Sequence, residues 1–220
     1  MTIALDVIGS ILGEYKSRHG LRIAPLGHIP TNEQIPIRTR HLHELVVQRG
    51  HVDIIRLYEV DHPAQHIIAQ VQKFTETTAM YGSNEVAHIY FASNQNLCWR
   101  RFAVCKEMYH CMIDRLPHQR VATLKDLQHL MNLLAVNTTS ITGTFPPYTN
   151  EQVAEIYALE TLFPVEFRLA HEDDYTQGTL SSHDLAMMYR VPESYVQLAF
   201  SPVYFETVKL LRGRLFTLDQ

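Results

Sequence analysis

Residues 86–116 constrain the fold more than any other stretch of the chain. VAHIYFAS, residues 86–93, is a short run rich in β-branched, aromatic and small apolar side chains, and it reads as a strand. A polar break follows. RRFAVCKEMYHCMIDRL, residues 100–116, then sets Phe102, Val104, Met108 and Met112 on or near one helical stripe. Pro117 ends that helix, because proline disfavours helical backbone in the residue before it. A strand leading into an amphipathic helix makes α+β the expected class, a small sheet packed with several helices.

The flanking segments extend this reading. Ile3, Leu5, Val7, Ile8, Ile11, Leu12 and Tyr15 recur at helical spacing and predict a helix over residues 3–18, with Gly20 as its stop. Pro25, Pro30 and Pro36 forbid a continuous helix in the next stretch, so residues 1–50 are expected to form an N-terminal helix and a proline-containing arm. The main domain is expected over residues 51–220. Within it, residues 52–60 read as a strand. Pro63 opens a predicted helix through Phe74, with Ile67, Ile68, Val71 and Phe74 inward, and a turn is expected at Gly82, Ser83 and Asn84.

Thr123 is expected to cap a leucine-rich helix running through Leu134, followed by a loop over residues 137–150. Thr149 and Gln152 have capping-box spacing, and the helix they start carries Ala154, Tyr157, Ala158 and Leu162 up to Pro164. Two short helices between Ser182 and Phe200 precede the tail.

Composition excludes several classes. With 46% apolar and 19% charged residues, the chain has enough apolar content for a core and too little charge for global disorder. No apolar run approaches the ~18 residues of a membrane span. The first fifteen residues interrupt their apolar pattern with Asp6 and Glu14 and do not read as a signal peptide. Cys98, Cys105 and Cys111, odd in number and clustered, suit reduced thiols, so a cytoplasmic location is expected. A net charge of −4 with no basic block weighs against nucleic acid as a partner. Thirteen histidines mean that mild acid reverses the sign of that charge.

Chemistry concentrates in KEMYH, residues 106–110. In a His-Glu-x-x-His zinc motif the two histidines stand at i and i+4, about 5–6 Å apart on one helix face, and the glutamate polarises the metal-bound water. Glu107 and His110 occupy the second and fifth positions here, and Lys106 the first. Glu151, on a separate helix, is the candidate third ligand.

With Arg101, Phe102, Glu107 and His110 in one motif and Glu151, Ala154, Tyr157, Ala158, Leu162 and Pro164 in a second, residues 86–200 resemble the ImmA/IrrE family of zinc metallopeptidase-like proteins. The family pattern is R-F-x-x-A-H-E-x-x-H followed by E-x-x-A-N-x-F-A-x-x-L-L-x-P. The resemblance implies a zincin-like domain with a small, mostly antiparallel sheet. It implies His110 and Glu151 as metal ligands, Glu107 as general base, and a protein partner or peptide substrate, such as a repressor-type regulator. Two departures from the pattern matter most: Lys106 replaces the first zinc histidine, and Glu155 replaces an asparagine.

An ammonium has no lone pair for a metal, and deprotonating it at pH 7 costs about 4–5 kcal/mol. Three readings follow. In one, the site is degenerate, holds no zinc or binds it weakly, and the fold serves regulation or protein interaction. In the second, Cys105, Cys111 or another histidine restores an active zinc endopeptidase, although Cys105 points roughly 100° away around the helix. In the third, Glu107, His110 and Glu151 are ordinary structural residues.

Other histidines are weaker candidates. His41 and His43 precede Glu44 without the second histidine of a zinc motif, and His118 and His129 read as surface residues. His88, in the strand before the site, is a candidate for facing a ligand. Residues 182–200 resemble a helix-turn-helix fragment and so offer DNA binding as a further alternative, but only Arg190 and His183 are basic there.

Overall fold

The computed structural model describes residues 2–19, 35–49, 52–61, 69–78, 82–113, 146–204 and 208. Pro25, Pro30, the expected helix over 123–134, His118, His129 and most of the tail lie outside the described residues.

Three strands form one mixed sheet: β1 (Ile54–Val60), β2 (Ala69–Thr78) and β3 (Gly82–Ala92), in the order β1-β3-β2. β3 pairs parallel with β1, from Ile54↔Val86 to Val60↔Ala92, and antiparallel with β2, from Ala69↔Phe91 to Thr78↔Gly82. The sheet is therefore mixed, and the antiparallel ladder is the longer of its two.

β2 corrects the helix expected after Pro63. Val71 and Phe74 sit at helical spacing, yet they pair with Ile89 and Val86 of β3. The ladder satisfies the backbone groups, and Thr75, Thr77 and Thr78 favour extended backbone, so tertiary pairing overrides the local pattern. Ile67 and Ile68 lie outside the described residues. The turn expected at residues 82–84 is likewise the start of β3, where Ser83 and Asn84 pair with Thr77 and Glu76. Gly82 supplies the left-handed φ of 80° at that end of the hairpin.

Helix α1 (Thr2–Arg18) agrees closely with its periodicity, and α2 (Arg40–Gln48) follows it. α3 (Leu97–Ile113) starts slightly earlier than expected, where Asn96 Oδ1 accepts from the Trp99 amide at 3.1 Å. α4 (Pro146–Leu162) also begins before its expected cap, so Thr149 lies inside the helix rather than at its boundary. Proline costs little in a first turn, where its missing N–H has no intrahelical partner, so Pro146 and Pro147 open this helix.

Two short helices, α5 (Val165–Ala170) and α6 (Glu172–Thr176), lead to α7 (Ser182–Tyr189) and α8 (Glu193–Ala199). Ser181 and Asp184 form a reciprocal capping box on α7, and Arg190 ends it with φ 53°.

Side-chain alternation makes the sheet two-faced. Ile55, Ala87, Ile89 and the partly buried Val71 join the core with Phe102, Met108 and Met112 of α3, and Lys73 Nζ donates to the Cys111 carbonyl at 3.0 Å. α4 packs on α3 through Ala154, Tyr157 and Ala158, and Ile11 and Tyr15 of α1 enter the same core. Among the described residues, no helix is long and apolar enough to cross a membrane.

Candidate functional site

Helical spacing places Lys106 and His110 one turn apart on α3, and Glu151 and Glu155 one turn apart on α4. Packing of α3 on α4 sets these faces against each other. Lys106 Nζ bonds Glu151 Oε1 and lies 3.5 Å from Glu107 Oε1. His110 Nε2 lies 3.0 Å from Glu151 Oε2. All four residues singled out in the sequence therefore meet, and Glu107 and His110 are buried.

The electrostatics follow from that enclosure. Burial acts most strongly on Lys106 and opposes its charge, but Glu151 and Glu107 together outweigh it and hold the ammonium above its ordinary pKa. Burial likewise works against the Glu151 carboxylate, and Lys106 and His110 overcome it, so its pKa falls below the usual carboxylate range. Glu155 behaves oppositely: burial and then the neighbouring Glu151 charge raise its pKa.

Sequence reasoning missed Tyr195. It reaches in from α8, donates its hydroxyl to Glu155 Oε1 at 3.0 Å, and stacks on Phe102 with ring centroids 3.9 Å apart. No spacing rule connects residue 195 to residues 102 and 155, so only the packed structure reveals it. Arg101 has a different task from the site residues. Its guanidinium donates to the carbonyls of Tyr189 at 2.9 Å, Arg190 at 3.0 Å and Ile37 at 2.6 Å, tying α7 and the lead-in to α2 onto α3.

The alternative ligands are placed elsewhere. Cys105 is fully buried beside the Ala158 carbonyl, and burial, opposed by Arg101, pushes its thiol up to about 12. Such a thiol stays protonated and is a poor ligand. Cys111 is buried and Cys98 half-buried, and none of the three cysteines is in a disulfide.

His88 does not face this site. It alternates with the helix-facing Ala87 and Ile89 and shares the opposite sheet face with Arg56, Tyr58 and Phe74. Its Nε2 is 3.3 Å from Arg56 Nη1 and its Nδ1 is 3.2 Å from the Tyr90 hydroxyl.

The helical pair, α7 and α8, turns Leu185, Ala186, Tyr189, Val191, Val196 and Ala199 into the core.

The donor set does not fit zinc. With Glu151 ionised its oxygens only accept, so the His110–Glu151 contact has Nε2–H as the donor and leaves that nitrogen no lone pair for a metal, while Lys106 offers donors alone. A catalytic zinc site keeps three protein ligands. Among the described residues, no group of three or more His, Cys, Asp or Glu side chains is arranged to hold a metal ion. No protein-family model, curated protein or solved structure matches the chain.

Proposed function

We propose that this chain is a regulatory or protein-interaction module of ImmA/IrrE-like, zincin-like descent, in which the Lys106 ammonium stands where a metal ion would sit. One observation supports this reading above the rest: Lys106 is held between Glu151 and Glu107, and His110 is tied to the second oxygen of Glu151. A fixed internal cation neutralises the carboxylates and braces α3 against α4 without polarising a water for attack on a peptide bond. The retained α+β frame then serves recognition of a protein, and the family resemblance favours a repressor-type regulator, in the cytoplasm.

Peptide hydrolysis tests the reading. The purified protein, offered a mixed peptide library with and without added zinc, is expected to release no product above the buffer control. Hydrolysis abolished by a zinc chelator and restored by zinc overturns the degenerate-site reading in favour of an active endopeptidase. For the DNA-binding alternative, a duplex-DNA mobility shift that weakens with salt is the contrary result.

The lysine also makes an engineering prediction. Lys106→His rebuilds the i, i+4 histidine pair opposite Glu151 and is expected to raise zinc affinity at least tenfold, about 1.4 kcal/mol. Calorimetric zinc titration of variant and wild type measures the change. Equal affinities would mean that Glu151 is not poised to share a metal with His110.

A further inference from the structure

His19, at the end of α1, and His41, in the first turn of α2, meet with Nε2 and Nδ1 3.1 Å apart. Their rings are tilted by 37° at 4.9 Å, and Tyr15 lies on the other side of His19 at 4.6 Å. Tyr15 is fully buried and donates to the Arg38 carbonyl at 2.8 Å, so the histidine pair sits where the α1 core contact and the entry to α2 converge.

We infer that His19 and His41 form a proton-sensitive latch between α1 and α2, closed while the facing nitrogens share one proton and opened when both carry one. The imidazole–imidazole hydrogen bond needs one donor and one acceptor. A neutral pair satisfies it, and so does a singly protonated pair. A second proton removes the last lone pair and sets two cations about 3 Å apart.

Among the described residues, the surrounding charges do not offset that repulsion. Arg38 adds a further cation beside His19, and burial, His41 and Arg38 together hold its imidazolium below the ordinary range. Glu14 of α1 is engaged by Arg18 at 2.8 Å and by Arg49 at 2.5 Å, and Glu44 of α2 by Arg40 at 3.0 Å. α3 presents Arg101, directed to the Ile37 carbonyl. α4 and α5 present Glu160 and Glu166, which take the Lys16 ammonium. From β1, Arg56 pairs with Glu76 and Glu59 with Arg100.

The depressed pKa fixes the sign. Closure is complete above the ordinary histidine value of about 6.5 and is lost as pH falls through the lowered folded value. In the wild-type chain, NMR titration is expected to place the His19 imidazole below the ordinary value of about 6.5. Amide hydrogen exchange supplies the structural readout. Between about pH 7.5 and about pH 5, amides at residues 15–19 are expected to lose at least tenfold protection beyond the chemical change in exchange rate. His41→Gln keeps a neutral polar partner and should abolish that excess loss. Titration of His19 at or above about 6.5, or an equal loss of protection in wild type and His41→Gln, overturns the latch. The titration uses the unsubstituted chain, so the test survives a variant that folds poorly.

Discussion

Arg168→Met is expected to lower the stability of the protein by about 3–5 kcal/mol, the cost of breaking a buried ion pair by removing one partner. Arg168 is fully buried. Its Nη1 donates to the Ala199 carbonyl at 2.9 Å, its Nη2 bonds Glu160 Oε1, and its guanidinium lies 4.9 Å from the centre of the Tyr204 ring. Glu160 is shared: Lys16 approaches its other oxygen at 3.3 Å, and the Tyr204 hydroxyl donates to Oε1 at 3.2 Å. Lys16 also reaches Glu166 at 3.1 Å. Two cations and two carboxylates thus join α1, α4 and α5 inside the molecule, and methionine would leave the Ala199 carbonyl and one Glu160 oxygen short of a donor. Urea unfolding measures the loss. The exposed Arg40–Glu44 pair is the control, because Arg40→Met should leave the midpoint nearly unchanged. A loss below about 1 kcal/mol for Arg168→Met would show that the network relaxes around the gap or admits water.

Glu151→Leu should have the next largest effect, about 3 kcal/mol of destabilisation, because Lys106 and His110 both lose their main partner inside the α3–α4 interface. The expected value lies at the low end of the range for broken buried pairs. Glu107 remains 3.5 Å from the ammonium, and the Lys106 side chain keeps 17% exposure, so water and a residual counter-charge soften the loss.

The pH dependence has a definite sign. The folded Glu151 pKa is depressed, so the unfolded chain binds more protons there as the solution is acidified. The ionised carboxylate stabilises the fold above the unfolded carboxylate value of about 4.5 and loses that contribution as pH falls toward the lower folded value. Glu151→Gln should therefore show a shallower decline of stability on the acid side than wild type. Parallel declines in the two proteins would mean that Glu151 does not hold the Lys106 charge.

The helices were legible where their signal is local. Ile11, Leu12 and Tyr15 of α1, and Ala154, Tyr157, Ala158 and Leu162 of α4, announce helical faces through spacing alone, and those residues are buried in the structure. β2 was not legible for the converse reason. Val71 and Phe74 also satisfy a helical spacing, and what decides their conformation is pairing with Ile89 and Val86, far away in sequence.

The site divides along the same line. Helical spacing brought out Lys106, Glu107 and His110, and the second motif brought out Glu151, whereas Tyr195 arrives from α8 through a stack on Phe102. The buried Arg168–Glu160–Lys16 network was invisible to patterning, because sequence periodicity identifies apolar faces and not the polar groups that satisfy one another beneath them.

Metal content of the unsubstituted protein tests the role given to Lys106 most directly. After expression in zinc-containing medium and purification without chelator or added metal, elemental analysis should find far less than one zinc per chain, below about a tenth of an equivalent, because among the described residues His110 and Glu151 supply too few ligands for a dedicated site. Stoichiometric zinc that survives dialysis and is released by Glu151→Gln would contradict the assignment of the Lys106 ammonium to the metal's place.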